Sequence, residues 1–439
     1  MAADSVTPGK IPPASGYKND ESAATGSFTF AGKLASMTNN DNFFSEFPPV
    51  SKEEWLRQIA KDLKGRPLEE LDWQADTDII VSPFAHADDF AGRTLPPAGA
   101  PDNWEICEDV FVTDTAAANR QALEALQGGA EGLRFYFEKS PDAALFEKLF
   151  ECIYPDFIGL HFAGPGVTQN PGAVLGNLER LAKEKRIPTE SLRGSLYYDP
   201  ASSAGIVDWR YLVDLAKYGK ERFPGFKLVT VALDPTPNPS PTGRGGAAYT
   251  VEYAAERSTS PLPVGEGLGV GLTQGNLYLQ KLSERGLPAA EAAATLQFSV
   301  AIGKSYFFEI AKIRAFKLLW LNVLKGWDAP LHFPVVEARY QPEVYTDELY
   351  SNMIRATTMA MSAVLGAADR LTVLPYDAGR EGQATYPQAF GRRIARNVQH
   401  LLKMEGSFSE IPDPAAGSYY IEKLTRQLAE RAWSAFQKS

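Results

Sequence analysis

From residue 132 onward, short apolar runs alternate with longer stretches whose apolar residues recur every three or four positions. The runs are GLRFYFE (132–138), FIGLHFAG (157–164), LRGSLYYD (192–199), KLVTVAL (227–233), LQFSVAIG (296–303), HFPVVEAR (332–339), LTVLPYD (371–377) and FSEIPD (408–413). They are brief, rich in aromatic or β-branched residues and set between turn formers, as strands are. The stretches between them, among them AVLGNLERLAKEK, DWRYLVDLAKYGKERF and SYYIEKLTRQLAERAWSAF, carry helical spacing. Eight strand–helix repeats predict a parallel sheet that closes on itself: an α/β fold, a (β/α)8 TIM barrel over 131–437, with right-handed crossovers placing the helices outside.

One step between strand starts is out of line, 69 residues where the others run from 25 to 39. It contains DPTPNPSPTGRGG and STSPLPVGEGLGVG, whose proline and glycine predict a loop insert over 235–271 rather than a ninth element. Lengthening a surface loop costs little closure entropy, so the insert is expected to be disordered and dispensable. Its GEGLGVG has no strand directly before it and lacks GxGxxG spacing, which argues against a phosphate cradle.

Ahead of the barrel, 41–130 reads as an N-terminal arm. In SKEEWLRQIAKDLKG (51–65) a capping Ser, a Glu three residues on and a closing Gly predict an amphipathic helix. A strand is expected through 79–81, a loop over 96–103 and a second helix over 116–127. Residues 1–40, rich in Ala, Ser, Gly and Thr without apolar periodicity, predict a disordered leader. Patterning begins just after Met37, which is therefore expected to be the true start.

Composition narrows the function classes. A formal charge of −10 over 439 residues disfavours a nucleic-acid partner, and no run approaches the ~20 apolar residues that span a bilayer, so no membrane is expected. Two cysteines, Cys107 and Cys152, build neither a disulfide framework nor a Cys-rich zinc site, and no signal peptide follows Met1; a cytoplasmic location is expected.

Barrel enzymes assemble their sites at the carboxyl ends of the strands. The candidates there are Glu138, Lys139, His161, Tyr197, Tyr198, Asp199, Asp234, Lys304, Glu337, Arg339, Tyr376, Asp377 and Asp413. Lys304 could form a Schiff base and Glu337 with Asp377 an acid/base pair, although solvated rim charge is the commoner meaning of such residues. His161 lies inside an apolar strand, where a satisfied core imidazole outweighs a catalytic base. His86, His161, His332 and His400 form no HExxH, and GxSxG, CxxC and P-loop motifs are missing. The apolar helix over 305–327 is expected to pack on the barrel, with a subunit interface as the other use of its surplus.

Several long tracts then resemble one family. FFEIAKIRAFKLLW (307–320), YSNMIRATTMAMSAVLGAADRL (350–371) and RRIARNVQHLLKMEG with IPDPAAGSYYIEKLTRQLAERAW (392–433) closely resemble methylmalonyl-coenzyme A mutase. FFSEFPPVSKEEWLRQIAKDLKGRPLEELDW (43–73) resembles the start of that enzyme's small, or beta, subunit. The resemblance implies a coenzyme A-threaded barrel, adenosylcobalamin held over its mouth by a flavodoxin-like domain, and radical interconversion of methylmalonyl-CoA and succinyl-CoA, the cofactor supplying the radical. It also implies a catalytic large (alpha) subunit paired with a related small subunit that does no chemistry.

Departures from the active pattern decide between those roles. No histidine here has Asp two residues before it, as the cobalt-ligating Asp-x-His-x-x-Gly requires, and the chain ends soon after Trp433, so no C-terminal cobalamin-binding domain is expected. The Tyr-rich RGPYPTMY and RPWTIRQY arm is missing, and TVALDPTPNP stands where a GYH-type substrate histidine belongs. Arg355, Arg396, Asn397, Asp413 and 417–420 match the family but serve scaffold or site alike. The reading that follows is a non-catalytic small subunit in a heterodimer, with adenosylcobalamin bound by the large partner and no catalytic residue of its own. His161, Tyr198, Asp199, Lys304, Glu337, Arg339, Tyr376 and Asp377 then line a barrel mouth that is either substrate-binding or vestigial, with residual acyl-CoA as its candidate ligand. The alternatives are a catalytic barrel of another acyl-CoA mutase using a separate cobalamin-binding chain, and a barrel lyase or aldolase built on Lys304 or Glu337/Asp377.

Overall fold

A computed structural model of the chain describes residues 50–76, 79–90, 103–202, 207–233, 264–340, 342–380 and 383–439. The leader, Met37 and positions 235–263 of the insert lie outside the described residues. The chain divides into two units, 1–58 and 59–439. Residues 50–58 of the first hold the opening of helix α1 (Lys52–Asp62). Its start is a capping box: the Glu54 N–H donates to Ser51 Oγ (3.3 Å) and the Ser51 N–H to the Glu54 carboxylate (3.1 Å).

In the second unit β1 (Trp73–Asp76) and β2 (Ile79–Val81) form a small antiparallel ribbon. A nine-stranded parallel sheet follows. Its first members alternate with helices: β3 (Glu105–Phe111), α2 (Thr115–Gln127), β4 (Gly132–Tyr136), α3 (Ala143–Leu149), β5 (Gly159–Ala163), α4 (Pro165–Gln169), α5 (Pro171–Lys185), β6 (Arg193–Leu196) and α6 (Trp209–Arg222). Next come β7 (Gly225–Lys227), β8 (Val229–Ala232), α7 (Val264–Ser283), α8 (Ala289–Thr295), β9 (Leu296–Ile302) and α9 (Tyr306–Gly326). The chain finishes with β10 (Val336–Tyr340), α10 (Leu349–Leu365), β11 (Arg370–Thr372), α11 (Gln388–His400) and α12 (Tyr419–Lys438).

The sheet order is β7-β6-β5-β4-β3-β11-β10-β9-β8. Its two end strands are consecutive in the chain, separated only by Leu228, and together act as one strand pairing β6 on one side and β9 on the other. The Thr230 N–H also donates to the Tyr198 carbonyl (3.2 Å), so the ring is closed. The expected TIM barrel is therefore present, assembled from eight strand positions.

Two positions of the expected count move. FSEIPD is not a strand: its residues form turns, and Asp413 has φ 43°. The eighth strand position is filled instead by β3, which lies within 41–130, the stretch expected to be an arm, so the barrel starts before residue 131. EICEDVF hides its strand character because every second residue faces the barrel interior and most of those are polar. The insert also ends early: residues 264–271 are the start of α7. Glycines of α7 serve close packing: a Cβ at Gly269 would meet the Ala435 side chain at 2.7 Å and, a little further along, one at Gly275 would meet the ring of Trp320 at 2.6 Å.

Helix α9 uses its apolar surplus inside the fold, packing on α7, α10 and α12. Four of its five charged residues are buried, Lys325 in the last turn being exposed. Lys317 pairs with Asp369 (2.9 Å), Lys312 with Glu309 (2.6 Å), and Arg314 with both Asp413 and Glu422 (2.8 Å). Among the described residues no helix is long and apolar enough to cross a membrane.

Arg314 is 0% exposed with two carboxylate partners, so Arg314→Met, which keeps much of the volume but removes the charge, strands two buried anions. The expected loss is about 3–5 kcal/mol, read as a lower urea midpoint at unchanged slope.

Candidate functional site

Strand alternation sorts the barrel's side chains into two populations. Ile106, Val110, Leu133, Phe135, Leu160, Phe162, Val231, Phe298, Val300, Ala338 and Leu371 are all buried within the single large apolar core. Their neighbours in the same strands point the other way, into the barrel axis. Those inward positions are Glu105, Cys107 and Asp109 on β3, Arg134 on β4, His161 on β5, Ser195 on β6, Gln297 and Ser299 on β9, Glu337 and Arg339 on β10, and Arg370 and Thr372 on β11. TIM-barrel interiors are ordinarily filled by branched apolar side chains; this one is filled by charge.

The charges are matched across the lumen. Arg134 donates to Asp109 (2.6 Å) and Glu337 (2.9 Å), while Tyr197 donates its phenol proton to the other Glu337 oxygen. Arg370 lies 3.7 Å from Glu337 and donates to Gln297 (3.0 Å) and Tyr197 (3.3 Å). Gln297 in turn donates to Thr230 (2.8 Å), and Arg339 to Ser299 (3.1 Å). Burial alone would raise Glu337, but Arg134, Arg370 and Arg339 hold it below the usual carboxylate range. At the carboxyl end Tyr136, Ala163 and Tyr197 pack together with Phe111, whose ring centroid is 5.5 Å from that of Tyr136. An aromatic layer thus covers the charged one.

His161 is 1% exposed and held from both ring nitrogens, with Nδ1 2.8 Å from Ser195 Oγ and Nε2 2.6 Å from Glu105 Oε1. Burial and then Arg370 push its pKa down, outweighing Glu105, so the imidazole is neutral. The network assigns the Nε2–H to donate to Glu105 and Nδ1 to accept from the Ser195 hydroxyl. Burial opposes the Glu105 charge, yet the hydrogen bond from His161 and the charges of Arg370 and Arg193 hold that carboxyl below the usual range. Glu105 spans two strands to make this contact, its side chain lying over Gly132 and Gly159, where any Cβ would collide with it.

The residues read from the sequence therefore scatter. His161, Glu337 and Arg339 meet in the lumen, with His161 and Glu337 sealed inside the barrel rather than set at its mouth. Tyr198 and Asp199 follow β6, where Asp199 accepts from Tyr278 (2.5 Å) and Gln274 (3.1 Å). Tyr376 and Asp377 lie after β11, Tyr376 stacked on Tyr350 at 6.2 Å and Asp377 against Gly391 of α11. Lys304 is exposed after β9, without the desolvation that activates a Schiff-base lysine. Glu138 and Lys139 follow β4, Asp413 pairs with Arg314, and Asp234 lies outside the described residues. Sequence reasoning missed Glu105, Cys107, Asp109, Arg134, Ser195, Gln297 and Arg370; their signal is a polar residue at every second place in an otherwise apolar strand.

Comparison with known proteins fits this architecture. The family model for methylmalonyl-CoA mutase matches residues 264–439. A methylmalonyl-CoA mutase small subunit from Porphyromonas gingivalis is 31% identical over 424 residues, covering 90% of this chain and 64% of that one. The chain belongs to the methylmalonyl-CoA mutase family. The small subunit from Streptomyces virginiae is 28% identical over 431 residues, again covering 90% of this chain and 64% of the relative. The large subunit from the same organism is 25% identical over 441 residues, covering 89% and 56%. The chain thus spans 64% of the length of these two small subunits and 56% of that of the large one.

The described residues do not fit the adenosylcobalamin that the mutase family implies. A lower cobalt ligand needs a free imidazole facing the strand carboxyl ends. His161 is sealed in the lumen, His86 pairs with Asp88, His400 bonds the Gly128 carbonyl, and His332 precedes β10.

Asp199 supplies a pH test. Burial raises its pKa above the model-compound value of 3.8 despite the Tyr278 and Gln274 donors. The folded state therefore holds this proton more tightly than the unfolded one, and Asp199 costs stability as pH rises out of that range. In Asp199→Asn the melting temperature relative to the parent is expected to climb between pH 4 and pH 7. A flat or falling difference in paired thermal melts would show that hydrogen bonding, not burial, governs this carboxylate.

Proposed function

We propose that this chain is a non-catalytic small subunit of an adenosylcobalamin-dependent methylmalonyl-CoA mutase, stabilising a catalytic large subunit that carries the cofactor. The observation that carries the reading is the filled lumen. A barrel that threads an acyl-CoA along its axis needs an open passage lined with small side chains, whereas here Arg134, Arg370, Glu337 and His161 occupy that volume and Phe111, Tyr136 and Tyr197 cover its carboxyl end. Moving those groups aside would break several buried ion pairs at once, each costly to open. The same packing argues against a catalytic barrel that borrows cobalamin from a separate chain, and against residual acyl-CoA in the lumen. Exposed Lys304 and the separate surroundings of Glu337 and Asp377 argue against an aldolase or lyase.

The small-subunit names of the two relatives support the assignment within the family, and the large-subunit relative supports a partner related to this chain. The activity belongs to the assembly: interconversion of methylmalonyl-CoA and succinyl-CoA in the partner's barrel, with this chain contributing surface and rigidity.

Mutase turnover with added adenosylcobalamin, measured for this chain alone, for the large subunit alone and for the mixture, tests the reading when complex formation is followed on the same samples. Turnover confined to preparations containing the large subunit, from a stable heterodimer, is expected. Turnover by this chain with only a cobalamin-binding chain added would overturn it. Calorimetric titration of this chain alone with methylmalonyl-CoA is expected to give no heat of binding, because the lumen has no room for a pantetheine arm.

A further inference from the structure

Below the charged layer, at the amino end of the barrel, three groups with different donor atoms converge: the Glu105 carboxylate, the Cys107 thiol and the His161 imidazole. One ligand atom from each lies within 4.8 Å of the others. Glu105 and Cys107 sit two places apart on β3 and so face the lumen together, while His161 reaches them from β5, two strands away. Gly132 and Gly159, paired in register on β4 and β5, leave the gap through which the Glu105 side chain crosses. This is a built arrangement, since a side chain at either glycine would close it.

We propose that Glu105, Cys107 and His161 form a zinc-class divalent metal site at the amino end of the barrel. Mixed carboxylate, thiolate and imidazole donors suit a borderline-soft ion with tetrahedral preference; bonds of about 2.0–2.3 Å require His161 Nε2 and Glu105 Oε1, now 2.6 Å apart in a hydrogen bond, to part by under an ångström and the Cys107 sulfur to close on them by no more than about that much. The site has the outer support that such ligands need: Ser195 lies 2.8 Å from His161 Nδ1, placed to accept its proton and so leave Nε2 free to bind the ion. It also has a way in. Cys107 and His161 are 2% and 1% exposed, but the Glu105 side chain is 19% exposed, so the ion and a water as fourth ligand reach the site past that carboxylate.

The charges balance. Glu105 and a Cys107 thiolate supply two negative charges against two positive ones. The imidazole stays neutral, its proton moving from Nε2 to Nδ1, so one proton, that of the Cys107 thiol, leaves per ion bound. Arg370 is the opposing charge, with Nη1 3.3 Å from His161 Nε2. Its guanidinium has other seats at Gln297, Tyr197 and Glu337, and it withdraws toward them when the ion enters.

The test uses the full chain, freed of metal with a chelator and carrying no affinity tag, with zinc measured by equilibrium dialysis and cobalt(II) as a spectroscopic probe. One equivalent of zinc, release of about one proton per ion in calorimetry across buffers of different ionisation enthalpy, and a cobalt spectrum with a thiolate charge-transfer band are expected. Cys107→Ser, close to isosteric, should abolish that band, and Ser195→Ala should weaken zinc by about 10- to 100-fold. His161→Gln should remove stoichiometric binding; if it does not fold, the Cys107→Ser spectrum still decides. Zinc bound at less than one equivalent at micromolar concentration, or a cobalt spectrum unchanged in Cys107→Ser, would overturn the site. Neither result bears on mutase turnover, so this inference and the small-subunit reading stand or fall separately.

Discussion

Three arginines point into a closed barrel, and the rest of the structure answers that constraint. Arg134, Arg339 and Arg370 cannot shed their protons, so each must be met inside the lumen by anions and dipoles. Glu337 is the hub: one oxygen takes Arg134, the other Tyr197, and Arg370 stands close by. Asp109, Glu105, Gln297 and Ser299 then complete the pairing strand by strand. Removing one member would strand its partners in a medium where unpaired charge is far more costly than in water, which makes the network cooperative and the barrel's cross-section fixed.

That interior is affordable because the hydrophobic work is done elsewhere. The strands offer their alternate face to the helical layer, where Phe135, Phe146, Phe150 and Phe162 pack with tilted rings and Phe298 meets Trp320 at 4.7 Å. The helices repeat the pattern. α9, apolar nearly all round, pairs its buried Lys317 with Asp369 just before β11 and its buried Arg314 with Glu422 of α12, while Gly269 of α7 brings that helix close to α12. The barrel is therefore a rigid rod with two layers of constraint, apolar outside the strands and electrostatic within them.

Much of this was legible in the sequence, and the exceptions have physical causes. The repeat of strand and helix revealed the barrel because most strands keep an apolar run despite facing a polar lumen. β3 escaped because its inward residues are Glu105, Cys107 and Asp109 and its outward ones include Glu108, which pairs with Arg396, so neither face reads as apolar. FSEIPD reads as a strand because Phe408 and Ile411 form a short apolar run at the expected distance from the preceding strand, while Asp413 turns inward to Arg314. The glycines before 271 read as loop because propensity rules count their entropy cost and not the close helix approach they permit. His161 and Glu337 were found by type, but their pairing needs Arg370 and Arg134, which only the closed ring brings within reach.

A barrel kept for assembly and a barrel kept for catalysis face opposite demands on the same volume. Catalysis along the axis needs a passage that opens, so its lining must be small and its polar groups satisfied by substrate or water. A supporting subunit gains from the reverse, a lumen whose groups satisfy one another and leave no passage along the axis. Here the inward positions are polar at nearly every second residue, and those residues are long and mutually paired. Changing a few inward positions from small to large converts a channel into a brace without altering strand order, register or helix packing.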